Sequence, residues 1–346
     1  MSYENIIIGK KQIGSHFPVY IIAEIGSNHN QDLDIAFEMI EKAAKAGADA
    51  VKFQGIKFDK LYNKNLEDQK LNQWFEKIQL NEDWYEKLNA KANNCGVDFL
   101  CSPTYKGSLD LLCKLDVPAI KIASPQVQGN PYLLEDAALS GKPLFLSLGY
   151  CDYGDILKAI KICENQNNKK IILLHCISKY PSLPEEMNLK FIKTLEFMFK
   201  KPVGFSDHSI GATMSIAAVT LGAKVLEKHV TLDINSTGPD HHFAMNFEDF
   251  QNYVKSIRDT EKAIESSTRI NLLKEELNYR DNVKLKMVSK ANILKDEIIN
   301  EDNIHFLRAS SDGIELNEFK NLRQLFSRSA IPKDTLIQWK DLKINL

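Results

Sequence analysis

Val19-Tyr-Ile-Ile-Ala-Glu-Ile25 is a near-continuous apolar run, and a helical pattern of apolar residues over Leu33–Ala46 follows it. Seven further short apolar runs occur along the chain, and each is followed by a stretch with helical character. Strands that alternate with helices at this spacing indicate βαβ units and a parallel sheet. Near-continuous apolar runs are typical of strands that are covered on both faces. Eight such units within about 260 residues predict an α/β fold of the TIM (β/α)8 barrel type.

The alternative fold is a doubly wound open sheet, which the absence of GxGxxG after the first strand argues against. The predicted strands are Val19–Ile25, Ala48–Gln54, Val97–Ser102, Ala119–Ser124, Pro143–Leu148, Lys170–Cys176, Val203–Ser206 and Lys224–His229. The predicted helices are Leu33–Ala46, Glu82–Asn94, Ser108–Leu115, Pro131–Leu139, Gly154–Glu164, Glu186–Phe199, Ala212–Leu221 and Asn246–Ile264.

The pattern of the chain changes after the eighth unit. Residues 266–282 are polar and charged and are predicted to be a linker that is helical in part. From there on, short apolar segments replace the strand–helix alternation. We therefore expect a barrel domain over 1–265 and a small domain over 283–346, which is short enough to need docking on a partner barrel.

Composition excludes several classes of protein. The 346 residues are 44% apolar and 26% charged, as in an ordinary globular protein. A net charge of -2 gives no basic excess for nucleic acid or an anionic membrane. No apolar run is long enough to span a bilayer, and the N-terminus lacks a secretory pattern, so we expect a cytoplasmic location. The six cysteines include no CxxC pair, which argues against a zinc ribbon.

Two lysines lie inside predicted central strands. Lys52 lies between Val51 and Phe53, and Lys121 lies between two isoleucines. A lone lysine is normally a surface residue, but a lysine within a barrel strand is costly unless it is paired or binds a ligand. Catalytic groups of barrels lie at the carboxyl ends of the strands. The two lysines therefore predict a site for a phosphate or carboxylate group.

Two histidines end neighbouring predicted strands. His208 follows the seventh strand and His229 ends the eighth. Neutral imidazole is the commonest protein ligand for metals, so the pair predicts a divalent metal site, with Mn²⁺ favoured and Mg²⁺ possible. Glu24 and Asp240 are candidates for holding sugar hydroxyls or moving protons. These residues alone leave an aldolase, an isomerase and a phosphoenolpyruvate condensation open.

Several segments together resemble the sialic acid synthase family, which makes N-acetylneuraminic, legionaminic or pseudaminic acid. The resemblance covers nearly the whole chain and follows the family's order. The segments are Ile22-Ala-Glu-Ile-Gly-Ser-Asn-His29, Gly47-Ala-Asp-Ala-Val-Lys-Phe-Gln54, Phe99-Leu-Cys-Ser-Pro103, Ile120-Lys-Ile-Ala-Ser124, Leu173-Leu-His-Cys-Ile-Ser-Lys-Tyr-Pro181, Gly204-Phe-Ser-Asp-His208, Leu221-Gly-Ala-Lys-Val-Leu-Glu-Lys-His229 and Gly238-Pro-Asp-His241.

The resemblance implies a TIM barrel joined to a C-terminal antifreeze-like (SAF) domain. It also implies a domain-swapped homodimer, in which the small domain caps the partner's active site. The implied reaction is the condensation of phosphoenolpyruvate with an N-acylated amino-sugar aldehyde. The product would be a nine-carbon 2-keto-3-deoxy sugar acid, released with phosphate.

The resemblance also assigns roles to individual residues. His208 and His229 would bind the metal, and Arg308 would reach the sugar from the SAF domain of the partner. The residues that would hold phosphoenolpyruvate are Lys52, Lys121, Ser102, Ser124, Ser147 and Ser206. The residues expected on the sugar side, or elsewhere among the substrate contacts, are Glu24, Gln54, Ser178, Tyr180 and Asp240.

The chain departs from the family pattern at Gln126, where the family normally has an acidic residue that is thought to assist proton transfer. Glutamine cannot accept a proton, so Glu24 or a metal-bound water would have to serve, or turnover is impaired. The alternatives to an active synthase are therefore a related phosphoenolpyruvate condensation on another sugar and a catalytically weakened sugar-binding homologue.

Overall fold

The computed structural model describes residues 3–63, 77–266, 268, 271–319 and 324–344. The chain divides into two units, Met1–Glu265 and Ser266–Leu346. Eight parallel strands form a nearly closed barrel in the first unit, as the alternation of strands and helices predicts. Along the barrel wall the hydrogen-bonded order is β5-β4-β3-β10-β9-β8-β7-β6, and β5 and β6 contact each other where the ring closes. The barrel strands are β3 (Tyr20–Gly26), β4 (Ala50–Gly55), β5 (Asp98–Pro103), β6 (Ile120–Ile122), β7 (Leu144–Ser147), β8 (Ile171–Cys176), β9 (Val203–Asp207) and β10 (Val225–Thr231).

Helices surround the barrel, and the first long helix has a capping residue at each end. Asp32 accepts hydrogen bonds from two backbone amides at the start of the first long helix. Gly47 ends that helix with φ of 93°, a left-handed conformation that glycine adopts without strain. The helices of this unit are α1 (Leu33–Ala46), α2 (Phe58–Leu61), α3 (Tyr85–Asn94), α4 (Lys106–Lys114), α5 (Ser124–Gly129), α6 (Pro131–Leu139), α7 (Tyr153–Asn165), α8 (Phe191–Phe199), α9 (Thr213–Thr220) and α10 (Phe247–Ile264).

A hairpin that the sequence analysis did not assign precedes the barrel. Its strands are β1 (Ile6–Ile8) and β2 (Lys11–Ile13), which pair antiparallel. Three hairpin isoleucines join the apolar cluster that includes Tyr20 and Phe145. These hairpin residues therefore extend the interior core of the barrel. A short strand, β11 (Met245–Asn246), pairs with β10.

The observed helices differ from the predicted ones at two places. The helix predicted over Glu186–Phe199 begins only at Phe191, because Asn188 has a φ of 45° and interrupts the helical backbone. A short helix, α5, follows β6 directly where no helix was predicted, and Pro125 occupies its first turn, where a missing amide hydrogen costs nothing. Half of the longer stretch that separates the second predicted strand from the second predicted helix, residues 64–76, lies outside the described residues.

The second unit contains α11 (Lys274–Asn282), β12 (Leu285–Ser289), β13 (Ile304–Arg308), α12 (Leu316–Phe319), β14 (Phe326–Ser327) and β15 (Leu342–Lys343). Two antiparallel pairs, β12 with β13 and β14 with β15, lie around a core that includes Met287, Ile304 and Ile337. Isolated bridges pair Val288 with Leu336, Ile293 with Ile331 and Ile298 with Phe326. Among the described residues, no helix combines the length and the hydropathy needed to cross a bilayer.

Candidate active site

The carboxyl ends of the barrel strands bring most of the predicted site residues to one end of the barrel. In the parallel ladders Glu24 is in register with Lys52 on one side and with His229 on the other. Ser206 is in register with Glu227 on the neighbouring strand. Because side chains on a strand alternate between the two faces, Glu227 and His229 share a face, as Lys52 does with Gln54.

Lys52 is buried and has polar partners on three strands. Its Nζ lies 2.7 Å from Oε2 of Glu24 and 3.7 Å from Oε1 of Glu227, and it donates to Oγ of Ser102 at 3.3 Å. Burial alone would lower the pKa of Lys52, but the carboxylates of Glu227 and Glu24 outweigh it and raise that pKa above its usual value. Lys52 is therefore charged at neutral pH.

Lys121 reaches the same carboxylate from another part of the barrel wall. Its Nζ donates to Oε1 of Glu227 at 2.8 Å, and the hydroxyl of Ser206 donates to the same oxygen at 3.0 Å. Burial would raise the pKa of Glu227, but the ammonium groups of Lys121 and Lys52 lower it to about 2. One ionised carboxylate therefore holds both lysines beside each other.

Glu24, Gln54 and Asp240 surround Gly26. Gln54 donates to Oε1 of Glu24 at 2.7 Å. A Cβ atom at Gly26 would lie 3.1 Å from Oδ2 of Asp240 and within 3.4 Å of polar atoms of the other two residues, so glycine leaves space there. Burial raises the pKa of Glu24, and burial together with the Glu24 charge raises that of Asp240 to about 6. Both carboxyl groups can therefore hold a proton more readily than a solvated acid.

His208 has a defined tautomer. Its Nδ1 donates to the backbone carbonyl of Ile177 at 2.7 Å, so Nε2 carries the lone pair of the ring, with Oγ of Ser206 at 3.5 Å from it. Burial lowers the pKa of His208, which keeps the imidazole neutral. The ring of Tyr180 lies over it, with centroids 4.2 Å apart.

His229 lies beside His208, with ring centroids 5.5 Å apart. Its Nδ1 is buried without a hydrogen-bond partner and lies 3.6 Å from Oδ2 of Asp240. Burial and the nearby imidazole hold the pKa of His229 well below its usual value. The ring of Phe243 packs against it at 5.0 Å. A buried nitrogen that lacks a partner is a candidate ligand atom.

The two imidazoles fit a metal ion that takes only part of its coordination from protein. Metal–nitrogen bonds are about 2 Å long, so rings at this separation can share one ion. Among the described residues, no group of three or more His, Cys, Asp and Glu side chains is arranged to hold a metal. The donor set therefore suits an ion that completes its coordination with water or substrate oxygens, as Mn²⁺ and Mg²⁺ do.

Serines extend the site toward β6, β7 and β8. The amide of Gly149 donates to Oγ of Ser124 at 2.9 Å. A Cβ atom at Gly149 would lie 2.1 Å from Oγ of Ser178, so only glycine allows this approach. Oγ of Ser147 is buried without a hydrogen-bond partner. Serine hydroxyls are therefore available to an anion at this part of the site.

Two predicted site residues stand apart from these contacts. Gln126 lies in the first turn of α5 and is largely buried. Arg308 ends β13 in the second unit and is exposed.

The structure adds three residues that the sequence analysis did not assign to the site. Glu227 could have been found, because it shares a strand face with His229. Cys176 lies with Sγ 3.9 Å from both Nδ1 of His208 and Oγ of Ser124, and burial raises the pKa of its thiol. Phe243 is buried against His229 and carries no signal in the sequence beyond its place after Gly238-Pro-Asp-His241.

The chain matches the family model described as the NeuB family over residues 39–269. It is 40% identical to an uncharacterized protein of Methanocaldococcus jannaschii, over 98% of this chain and 99% of that protein. It is 38% identical to the N,N'-diacetyllegionaminic acid synthase of Legionella pneumophila, over 76% of this chain and 78% of that enzyme.

A solved structure has the same architecture. The N-acetylneuraminic acid synthetase of Leptospira borgpetersenii, crystallised with citrate, superposes with a TM-score of 0.73 at 31% sequence identity. The alignment covers 80% of this chain and 96% of that one.

Proposed function

The chain belongs to the NeuB family of phosphoenolpyruvate-dependent condensing enzymes, and from this premise we propose that it joins phosphoenolpyruvate to an N-acylated amino-sugar aldehyde. The product is a nine-carbon sialic-acid-like 2-keto-3-deoxy sugar acid, and phosphate is released. The acceptor is N-acetylmannosamine or a 2,4-diacetamido-trideoxyhexose. The Legionella relative, which is named for a diacetylated sugar, supports the diacetamido acceptor as the first to test.

The observation that carries this proposal is the convergence of Lys52 and Lys121 on one oxygen of Glu227, beside the imidazoles of His208 and His229. Two ammonium groups in a buried site stabilise the negative charge of a phosphate far better than they would in water. The hydroxyls of Ser102, Ser124, Ser147 and Ser206 supply neutral donors for the remaining oxygens of phosphoenolpyruvate.

His208 and His229 would hold Mn²⁺ or Mg²⁺, which as a Lewis acid polarises the aldehyde oxygen of the sugar. The lone pair on Nε2 of His208 and the unpartnered Nδ1 of His229 support this assignment. Tyr180 and Phe243 pack on the imidazoles and limit the positions that the rings can take.

The carbon chemistry needs positioning and proton transfer from the protein. C3 of phosphoenolpyruvate attacks the aldehyde carbon, water adds to C2, and the resulting hemiketal phosphate loses phosphate by C–O cleavage. Lys52 and Lys121 remain in contact with the phosphate group throughout the reaction. The alignment of the two bound substrates supplies much of the rate enhancement. Asp240, whose pKa is about 6, can donate a proton to the developing sugar hydroxyl. Glu24 can take the proton that the attacking water loses.

Gln126 favours one alternative from another class. Because this amide replaces an acid of the family pattern, the chain could bind the sugar and turn it over slowly or not at all. The buried lysines and neutral histidines argue for retained chemistry, since even paired charges are costly to bury and apolar residues would fill the same space without that cost.

A coupled phosphate-release assay separates these functions. We expect phosphate only when phosphoenolpyruvate, Mn²⁺ and the correct aldehyde are all present, and we expect Lys121→Met to lose it. Lys255→Met, at an exposed lysine on α10, is the matched control and should keep full release. Release without any sugar would indicate a hydrolase, and sugar binding without release would indicate the binding homologue.

The second unit has a role in the same proposal. Arg308 is exposed at the end of β13, and exposed Leu307 precedes it. We assign this unit to the SAF type and place Arg308 of a second copy over the sugar's N-acyl group, in a domain-swapped homodimer. An arginine offers planar paired donors that suit an amide or carboxylate oxygen.

A further inference from the structure

A buried polar network lies around the loop that follows β9. Nζ of Lys228 is 3.1 Å from Oδ2 of Asp207 and also donates to the carbonyl of Ser209. Ser209 donates to Oδ1 of Asp207 from both its amide, at 2.8 Å, and its hydroxyl, at 2.6 Å. Ser215 donates to Oδ2 at 2.6 Å, and the hydroxyl of Tyr253 donates to Ser215 at 3.0 Å.

This network lies outside the barrel wall. Side chains alternate along a strand, so Lys228 faces away from the interior that Glu227 and His229 share. Ser215 belongs to α9 and Tyr253 to α10, and both helices pack on the outside of the barrel. None of the network's side chains takes part in the chemistry proposed for the site.

Stability alone is a poor explanation for this ion pair. Its side chains are 2% and 0% exposed, and removing two charges from water costs about as much as their attraction returns. Apolar residues of similar volume often serve a buried position equally well. Yet every oxygen of the Asp207 carboxylate is used, since each accepts two donors. A fully satisfied network fixes one geometry.

The network fixes the backbone next to the two histidines. Asp207 and Ser209 flank His208, and their contacts hold the backbone on both sides of it. Lys228 precedes His229 on β10 and reaches across to the carbonyl of Ser209. The network thus connects the backbone that carries one imidazole to the backbone that carries the other.

We propose that Asp207 and Lys228 are positioning residues that hold His208 and His229 at the separation needed to share one metal ion. The inference rests on the metal site of the proposed function. It extends that site to residues on the outer face of the barrel, which touch neither metal nor substrate. Groups that orient metal ligands typically contribute about 10-fold to 100-fold to metal affinity.

The test replaces the pair with apolar residues and measures metal binding directly. In the variant Asp207→Leu/Lys228→Met, we expect the affinity of the metal-free protein for Mn²⁺ to fall about 10-fold or more, measured by calorimetric titration. We also expect the electron paramagnetic resonance spectrum of bound Mn²⁺ to broaden, and the melting temperature without metal to change little. Tyr20→Phe, which removes the buried Tyr20–Asp98 hydrogen bond near the opposite end of the barrel, should leave Mn²⁺ affinity unchanged.

Two further measurements keep the outcomes separate. If the double variant does not fold, Ser209→Ala removes one donor from Asp207 and should weaken Mn²⁺ binding by a smaller factor while the protein stays folded. Wild-type Mn²⁺ affinity and an unchanged spectrum in the folded double variant would overturn the positioning role but not the metal site itself. If the double variant does not fold, the same result in Ser209→Ala would have the same meaning. Failure of the unaltered protein to bind Mn²⁺ would overturn both.

Discussion

Lys121 donates to Glu227 at 2.8 Å across the interior of the barrel, between strands β6 and β10, which lie four places apart in the ring. Lys52 approaches the same carboxylate from β4. The carboxylate therefore connects three parts of the wall at the level of the site. It also neutralises positive charge that would otherwise be buried before an anionic substrate arrives.

The first prediction concerns the stability that Glu227 provides. Glu227→Gln keeps the volume and the acceptor oxygen but removes the charge that balances the two lysines. We expect a loss of about 3 kcal/mol in the free energy of unfolding at pH 7, as for the breaking of a buried ion pair, measured by urea denaturation. Glu164→Gln, on a largely exposed carboxylate paired with Lys201, should cost less than about 1 kcal/mol. If Glu227→Gln and Glu164→Gln lowered the free energy of unfolding by similar amounts, the central role of Glu227 would be contradicted.

A second prediction follows from His29, which is buried at the end of β3 against Trp84. Burial lowers its pKa to about 4, so between that value and about 6.5 the unfolded chain binds more protons than the folded protein. Stability is therefore lost as the pH falls through this window. We expect His29→Gln to remove about 2 kcal/mol of the stability change between pH 7 and pH 5.

The check for His29 is a set of unfolding curves at several pH values. His16→Gln, which makes the same substitution at an exposed histidine, is the matched control. If His29→Gln and the original protein lose the same free energy of unfolding between pH 7 and pH 5, the folded protein takes up a proton on His29 as readily as the unfolded chain does, and the prediction is wrong.

Much of this architecture could be predicted from local patterns. The barrel strands are apolar runs with turns at both ends, and the alternation of side chains correctly placed Lys52 and Gln54 on one face. The hairpin of Ile6–Ile8 and Lys11–Ile13 was missed, because its strands are too short for a periodic signal and are fixed by packing on the barrel. The start of α8 was missed because a positive φ at Asn188 is set by the loop.

The contacts within the site needed the folded structure. Glu227 and Lys121 are 106 residues apart, and only the closure of the ring brings them together. The pairing of Asp207 with Lys228 was also not predicted, because a charged residue next to a histidine is normally exposed to solvent. Only the folded structure shows that residues of α9 and α10 cover this pair. The roles assigned to the individual site residues remain predictions, which the variants described for them test.

The third prediction concerns the histidines. His208→Ala and His229→Ala should each lower kcat at saturating substrate by about 1,000-fold or more, because loss of the ion removes several kcal/mol of charge stabilisation. His175→Gln is the matched control, since His175 is buried on β8 but bonds the carbonyl of Met187 instead. Circular dichroism should show a folded barrel in all three. Full activity of either alanine variant with added Mn²⁺ would refute the metal assignment.

The fourth prediction concerns Arg308. Arg308→Ala should raise the KM for the sugar more than that for phosphoenolpyruvate, because the proposed homodimer would place the guanidinium at the N-acyl end of the acceptor. Arg280→Ala, at another exposed arginine of the second unit, should change neither constant. Mixing Arg308→Ala with a Lys121→Met barrel variant should restore part of the activity if Arg308 acts on the partner's site. Equal changes in both KM values would contradict the assignment.

The last prediction tests whether Glu24 supplies the acid–base function that the family resemblance assigns to the position of Gln126. Glu24 is buried and its pKa is raised, so it can take a proton from the attacking water. Glu24→Gln should therefore lower kcat by about 100-fold or more. In Glu24→Gln/Gln126→Glu the carboxyl group returns at the family's position, and we expect part of kcat to recover with an altered pH profile.

The design separates proton transfer from charge balance, because Glu24 also pairs with Lys52 at 2.7 Å. Loss of that pairing alters the affinity for phosphoenolpyruvate, which equilibrium titration measures apart from turnover. Gln54→Met removes the hydrogen bond to Glu24 without changing any charge and should reduce kcat only modestly. An unchanged kcat in Glu24→Gln would assign the proton to another group. A reduced kcat that Gln126→Glu does not rescue would show that an acid on α5 cannot reach the reacting atoms in this barrel.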